Sequence, residues 1–172
     1  MKRLILVRHG DYSGSALTDY GRQQMQELAP ALANSVVGNV FLVSSSIRRA
    51  KESATILAEH FHVPVHEHAV WEAEGEWGDN VGAFQFVGGI DPNIDTLVVV
   101  THLPFLKSFP EYFGKKALDV TLPYGGVEKG EAQVIDCEMK TMTRVIPAPN
   151  ENRNEPLLVR PAPPTSRANG SY

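Results

Sequence analysis

Cysteine is nearly absent from this sequence: Cys137 is the only one in 172 residues, so no intrachain disulfide can form and no cysteine-based zinc site can be built. A reducing compartment is expected. Long apolar runs are missing as well. The opening Leu4-Ile5-Leu6-Val7 meets Arg8 before it reaches the length of a secretory signal core, and nowhere do about 18 apolar residues run together to span a bilayer. The expected location is cytoplasmic. A surplus of positive charge is the third absence, since 16 Lys and Arg face 20 Asp and Glu. Nucleic acids and anionic membranes reward cations, so neither is expected as a partner. Any anionic substrate must meet a local cluster of cations instead. What remains is a chain 42% hydrophobic and 21% charged, which fits a soluble globular protein with one ordinary domain.

Three short apolar runs rich in β-branched residues, Leu4 to Val7, Val40 to Val43 and Leu97 to Val100, read as buried parallel strands. Between the first two, Met25, Leu28, Ala29, Leu32, Ala33 and Val36 follow the spacing of a helix with one buried face, and Thr18 is its expected N-cap. The pattern repeats at Ile47, Ala50, Ala54, Leu57, Ala58 and Phe61, with Ser46 as the expected cap and Val63-Pro64 closing the helix. Trp71 to Pro92 reads as loop with a short helix near Asp79 to Phe86. Pro104 to Phe113 predicts a further helix, and Glu131 to Cys137 with Met142 to Ile146 a closing β-hairpin. The fold class is α/β: a three-layer sandwich with a mostly parallel central sheet, helices on both faces and a C-terminal β-hairpin. Half of the 12 prolines fall at or after Pro147, so the chain divides into a domain at 1–147 and a proline-rich C-terminal tail at 148–172. The Pro161-Ala162-Pro163-Pro164 stretch is assigned no partner.

The chemistry lies after the strands. Val7 is followed by Arg8-His9-Gly10, Val43 by Ser44 through Arg49, and Val100 by Thr101-His102. Ligands of parallel sheets bind at the carboxyl edge, so these distant segments would bring two histidines and several arginines to one rim. A phosphoryl group suits them. Guanidinium forks pair with phosphate oxygens and keep their charge, and N–H groups near the helix start after Ser46 add a favourable dipole. Two unit charges about 4 Å apart interact by about 4 kcal/mol at an effective dielectric near 20, enough for a neighbouring arginine to keep His9 neutral and nucleophilic. Gly10 leaves room for the phosphate and lets the backbone turn.

These residues, with Leu17-Thr18, Gly21, Gln24 and the Ser44-to-Ala50 block, resemble the histidine phosphatase (phosphoglycerate mutase-like) superfamily over roughly Lys2 to Phe113. The small size, the Arg8-His9-Gly10-Asp11 start, the His102-Leu103-Pro104 turn and the terminal hairpin most resemble the SixA-type phosphohistidine phosphatases, which extends the similarity to about Pro147. The resemblance implies that His9 is the phosphorylated nucleophile and that Arg8, Arg49 and His102 hold the phosphate oxygens. Arg49 rather than Arg48 matches the family arginine because it precedes Ala50. Gly10 and Ser44 complete the expected substrate contacts. Glu72 is the first choice for a proton donor and Glu74 the second, from a segment with Gly75, Glu76 and Trp77 similar to that of larger ester-cleaving members.

The resemblance therefore implies a phosphatase that hydrolyses a phosphohistidine or a phosphomonoester through a covalent intermediate on His9, with no metal or organic cofactor. Its partner is the phosphorylated substrate, either a protein phosphohistidine or a small phosphate ester. The alternatives are a small-metabolite phosphatase or mutase-type enzyme, and an inactive phosphate-binding interaction module. His60, His62, His66 and His68 invite a zinc reading, but the first two fall at a helix end and Val63-Pro64-Val65 breaks the register with the others. No metal site is assigned to them.

Overall fold

The computed structural model describes residues 1–148, except for the side chain of Glu74. The chain opens with β1 (Arg3–Arg8), the two-residue strands β2 (Tyr12–Ser13) and β3 (Ala16–Leu17), and α1 (Asp19–Leu32). It continues through β4 (Val40–Ser44), α2 (Arg48–Phe61), β5 (Val65–Glu67) and a 3-10 turn at Ala69–Trp71. The hairpin of β6 (Ala73–Glu74) and β7 (Trp77–Gly78) leads to α3 (Asn80–Gly88), β8 (Thr96–Thr101) and α4 (Leu103–Phe113). A π turn at Gly114–Leu118 precedes the final pair, β9 (Ala132–Asp136) and β10 (Thr141–Val145).

Six strands form the central sheet in the order β10-β9-β1-β8-β4-β5. β8 lies between β1 and β4 and runs parallel to both, with Val99 opposite Leu6 on one side and Val43 on the other. β5 extends the parallel part, while β9 and β10 pair antiparallel at the opposite edge. This is the expected α/β sandwich with its closing hairpin.

Strand alternation explains why both faces of the sheet are covered. Ile5 and Val7 pack with Met25, Leu28 and Leu32 of α1 and Leu57 of α2. Leu4 and Leu6 turn the other way, toward Trp71 and toward Phe105 and Phe109 of α4. Each of these side chains is fully buried, which contributes about 1.5–3 kcal/mol per residue before the entropy of ordering is subtracted.

Helix boundaries follow local chemistry. Thr18 caps α1 as expected, its Oγ1 accepting from the Gly21 N–H at 3.0 Å. Ser46 does not cap α2, which is a correction. Ile47 stands at the cap position without a side-chain bond, and the Ile47 N–H is taken by Ser45 Oγ at 3.1 Å. The Ser46 hydroxyl donates instead to the carboxylate of Glu72. At the far end His62 adopts the left-handed conformation (φ 55°) and its N–H returns to the Ala58 carbonyl, stopping α2 two residues before Pro64. Of the proline-rich tail, the Ala148 N–H donates to the Glu27 carbonyl at 3.2 Å, and positions 149–172 lie outside the described residues. Among the described residues, no helix is long and apolar enough to cross a membrane.

Candidate active site

The carboxyl ends of β1, β8 and β4 lie side by side, with Arg8 opposite Thr101 and Ser44 opposite Val100. Backbone pairing continues one residue past the strands. The His9 N–H reaches the Thr101 carbonyl at 3.3 Å, and the Ser45 N–H reaches the Val100 carbonyl at 3.0 Å. Parallel register thus carries His9, the Ser45-to-Arg49 turn and His102 to one rim, as the sequence predicts.

His9 is 4% exposed, with Nδ1 2.9 Å from the Gly10 carbonyl. A carbonyl only accepts, so Nδ1 carries the proton and Nε2 presents its lone pair. The Nε–H of Arg49 donates to that lone pair at 3.1 Å. His102 is equally buried, its ring centroid 5.2 Å from that of His9. Its Nε2 lies 2.8 Å from Ser45 Oγ, while its Nδ1 is buried with no partner among the described residues.

Burial is the largest reason both imidazoles stay neutral. It pushes His9 down to about 4, against a smaller opposing effect of the Gly10 carbonyl, with Arg49, Arg8 and Lys129 lowering it further. His102 is pushed down to about 3, first by burial and then by His9, Arg49 and Arg8. The cation argument made from sequence therefore names a genuine cause that ranks below desolvation.

The cations are held mainly by neutral groups. Arg8 Nη1 donates to the Val127 carbonyl at 2.8 Å, and its Nε is buried without a partner among the described residues. Burial lowers the Arg8 pKa and nearby Glu128, Tyr12 and Glu131 oppose that effect, but a guanidinium stays charged. Arg8 is braced by a segment from far along the chain. Its N–H donates to the Glu131 carbonyl at 2.9 Å, and the Gly130 N–H donates to the Arg8 and His9 carbonyls at 3.2 and 3.0 Å. Among the described residues neither Arg8 nor Arg49 forms an ion pair with a carboxylate.

Arg8, His9, Arg49 and His102 line one cavity of about 150 Å³ together with Tyr12. Ala73 and Gly75 from the β6–β7 hairpin and Leu103 and Pro104 from the start of α4 complete it. One water needs roughly 10–15 Å³ by a comparable measure, so a tetrahedral anion fits. Two guanidinium groups with no carboxylate ion pair among the described residues, beside an imidazole whose Nε2 carries its lone pair, can bind such an anion and attack its central atom.

Other expected contacts lie elsewhere. Ser44 is fully buried, and its hydroxyl donates to the Ser45 carbonyl at 2.7 Å, off the cavity lining. Gly10 is also off the lining, and its N–H donates to Ser53 Oγ at 3.1 Å. A Cβ on Gly10 would sit 2.6 Å from the Gly21 carbonyl oxygen, so glycine is needed for the approach of α1 rather than for room around a phosphate. Glu72 accepts from Ser46 and does not line the cavity. Glu74 stands between lining residues 73 and 75, but its side chain is outside the described set. Arg48 pairs with Glu52 at 3.1 Å on the exposed side of α2.

Sequence reasoning missed Tyr12, Ser45 and Lys129. Tyr12 receives the Arg49 guanidinium 4.4 Å and the Lys129 ammonium 4.7 Å from its ring centroid, and Lys129 also pairs with Asp11 at 3.1 Å. Lys129 is remote in sequence, and no spacing pattern connects it to His9. The four clustered histidines have other surroundings: His66 stacks on Phe41 at 4.2 Å, His68 Nδ1 accepts from the Val70 N–H, His60 packs against the Phe61 ring and His62 ends α2.

Residues 4–83 match the model of the histidine phosphatase superfamily (branch 1). No curated protein matches the sequence. Among solved structures, a mycobacterial glucosyl-3-phosphoglycerate phosphatase complexed with VO3 is similar at TM-score 0.60 and 20% identity, covering 87% of this chain and 100% of that one. A candidate phosphohistidine phosphatase SixA from Nakamurella multipartitia gives TM-score 0.63 at 17% identity, over 77% of this chain and 83% of that one. A second candidate SixA, from Agrobacterium tumefaciens, gives 0.59 at 14% identity, over 78% and 91%. At these identities the likeness is one of fold.

Proposed function

We propose that this chain, whose residues 4–83 match the histidine phosphatase superfamily model, hydrolyses phosphohistidine on a protein substrate through a phosphohistidine of its own at His9. The observation that carries this reading is the protonation pattern of His9: Nδ1 is tied to a carbonyl and Nε2 carries its lone pair in a cavity edged by two arginines that form no carboxylate ion pair among the described residues.

In the first half-reaction Nε2 attacks phosphorus. The new P–N bond forms as the bond to the leaving group breaks, and that group takes up a proton. Arg8, Arg49 and His102 hold the phosphoryl oxygens while charge builds on them. Water then attacks phosphorus, the P–N bond to His9 breaks, inorganic phosphate leaves and the lone pair returns to Nε2. The water loses its proton to solvent or phosphate, so the cycle balances without a cofactor.

The leaving group bears on the substrate. A departing imidazole needs little acid help, whereas an alkoxide depends on a positioned donor. Glu72 rests on Ser46 rather than on the lining, which supports the phosphohistidine substrate over an ester.

Acid-quenched rapid mixing with labelled substrate tests the intermediate: an acid-labile adduct is expected in the wild type and absent in His9→Ala. Saturable binding without adduct or product would identify an idle phosphate-binding module instead. Comparing a phosphohistidine protein with a panel of phosphate esters, in wild type, Glu72→Gln and Glu74→Gln, tests the substrate. Efficient ester turnover, abolished selectively in one variant, would establish a metabolite phosphatase and name its acid.

A further inference from the structure

Arg49 occupies an awkward place. It is the second residue of α2, whose N-terminus has no side-chain cap, and a cation at that end of a helix is disfavoured by the aligned peptide dipoles. No carboxylate pairs with it among the described residues, and its hydrogen bond is the one to His9 Nε2 at 3.1 Å. A carboxylate would fix the guanidinium at the cost of cancelling the charge an anion requires. An aromatic face attracts a cation and leaves its charge intact. Tyr12 supplies that face, with the Arg49 Cζ 4.4 Å from its ring centroid, and it meets the His9 ring edge to face at 5.2 Å.

We propose that Tyr12 is a positioning residue of the phosphoryl site, holding the Arg49 guanidinium against His9 and ready for the anion. Tyr12 is itself held. Lys129 Nζ lies 4.7 Å from the same ring centroid and pairs with Asp11 at 3.1 Å. Gln24 bridges the two segments, its Oε1 accepting from the Asp11 N–H at 2.8 Å and its Nε2 donating to the Lys129 carbonyl at 3.1 Å. The ring therefore links a cation from α2 with one from the segment preceding β9, and both lower the affinity of His9 for a proton. The role in turnover rests on the phosphatase reading above, whereas the role in anion binding does not.

Calorimetric titration with inorganic phosphate tests the proposal without requiring catalysis. Tyr12→Phe keeps the ring and is expected to bind within about twofold of wild type, while Tyr12→Leu, apolar but without a π face, is expected to weaken binding about tenfold. In an Arg49→Ala background the same Tyr12→Leu change should have little further effect, because the positioned group is gone. Should Tyr12→Leu fail to fold, the Arg49 Nε–H resonance provides a second measurement. It is expected to be shifted by the ring and slow to exchange in wild type and Tyr12→Phe, and to move in Tyr12→Trp as the ring current changes.

Phosphate affinity unchanged in Tyr12→Leu, a loss that persists undiminished without Arg49, or an Arg49 Nε–H indifferent to the ring would each overturn the proposal. A wild type that binds phosphate but forms no labelled adduct overturns the phosphatase reading alone. A wild type that binds no phosphate overturns both.

Discussion

The Nε–H of Arg49 lies on the Nε2 lone pair of His9 at 3.1 Å, so at rest the proposed nucleophile is covered by one of the groups proposed to hold the phosphoryl oxygens. Protonation of His9 is discouraged meanwhile, because the same nitrogen would have to accept a proton beside a fixed positive charge in a buried setting.

Activity should therefore persist well into the acid range. With His9 at about 4 in the free protein, the reactive neutral form still makes up about nine-tenths of the population at pH 5. The profile of kcat/KM, corrected for ionisation of the substrate phosphate, is expected to fall only near pH 4–5. An acid limb near 6.5 that persists in the single-turnover profile of His9 phosphorylation after that correction would contradict the buried neutral imidazole.

Stability should show the same groups from the other side. His9 and His102 titrate near 4 and 3 when folded and near 6.5 when unfolded, so the unfolded chain binds more protons in between. Their contribution is fully present above about pH 6.5 and is lost progressively as the pH falls through the folded values. Urea unfolding at pH 7.5, 6 and 5 is expected to give a falling free energy, with a shallower fall in His102→Gln. Equal slopes in the two proteins would mean that His102 is not held neutral by the fold.

Gly10 and Gly88 should respond to alanine with opposite signs. A Cβ at Gly10 meets backbone oxygen of Gly21 at 2.6 Å, whereas at Gly88, the last residue of α3, it meets nothing within 4 Å. Gly10→Ala is expected to cost about 1–3 kcal/mol through forced separation of α1 from the strand end. Gly88→Ala is expected to add up to about 0.5 kcal/mol by favouring the last turn of the helix. Chemical denaturation of both variants checks the contrast.

Ser45 should matter more than its position in a serine run suggests. Its Oγ meets His102 Nε2 at 2.8 Å and accepts from the Ile47 N–H at 3.1 Å. Ser45→Ala leaves both groups short of a partner in a buried place, at a cost of about 1–3 kcal/mol. Because His102 also loses its orienting bond, kcat/KM is expected to fall about tenfold or more. Parallel measurements of thermal stability and phosphate turnover separate the two effects, and unchanged turnover would remove His102 orientation from the mechanism.

The parts of this architecture that were readable in advance share one physical basis. Leu4 to Val7 and Leu97 to Val100 are apolar on both sides, a pattern that identifies strands buried in a parallel sheet, and strand ends then place Arg8, His9, Arg49 and His102 by register alone. Ser46 misled because the helix begins one residue later, with Ile47 at the cap position, and the Ser46 hydroxyl turns to Glu72, 26 residues away. Gly10 misled in a related way: a glycine beside a nucleophile suggests space for substrate, yet its neighbour is the backbone of α1. Tyr12 and Lys129 were invisible because a cation–π contact has no sequence period and depends on a loop 117 positions further on (129 − 12).

The bracing of Arg8 and His9 by Val127, Gly130 and Glu131 bears on how the protein is made. A ribosome delivers every motif side chain long before it delivers these three, so the strand end carrying the nucleophile waits for its second flank while synthesis continues. A product halted near residue 120 would contain the whole recognisable signature and still lack an assembled phosphoryl site; competence arrives with the last hairpin.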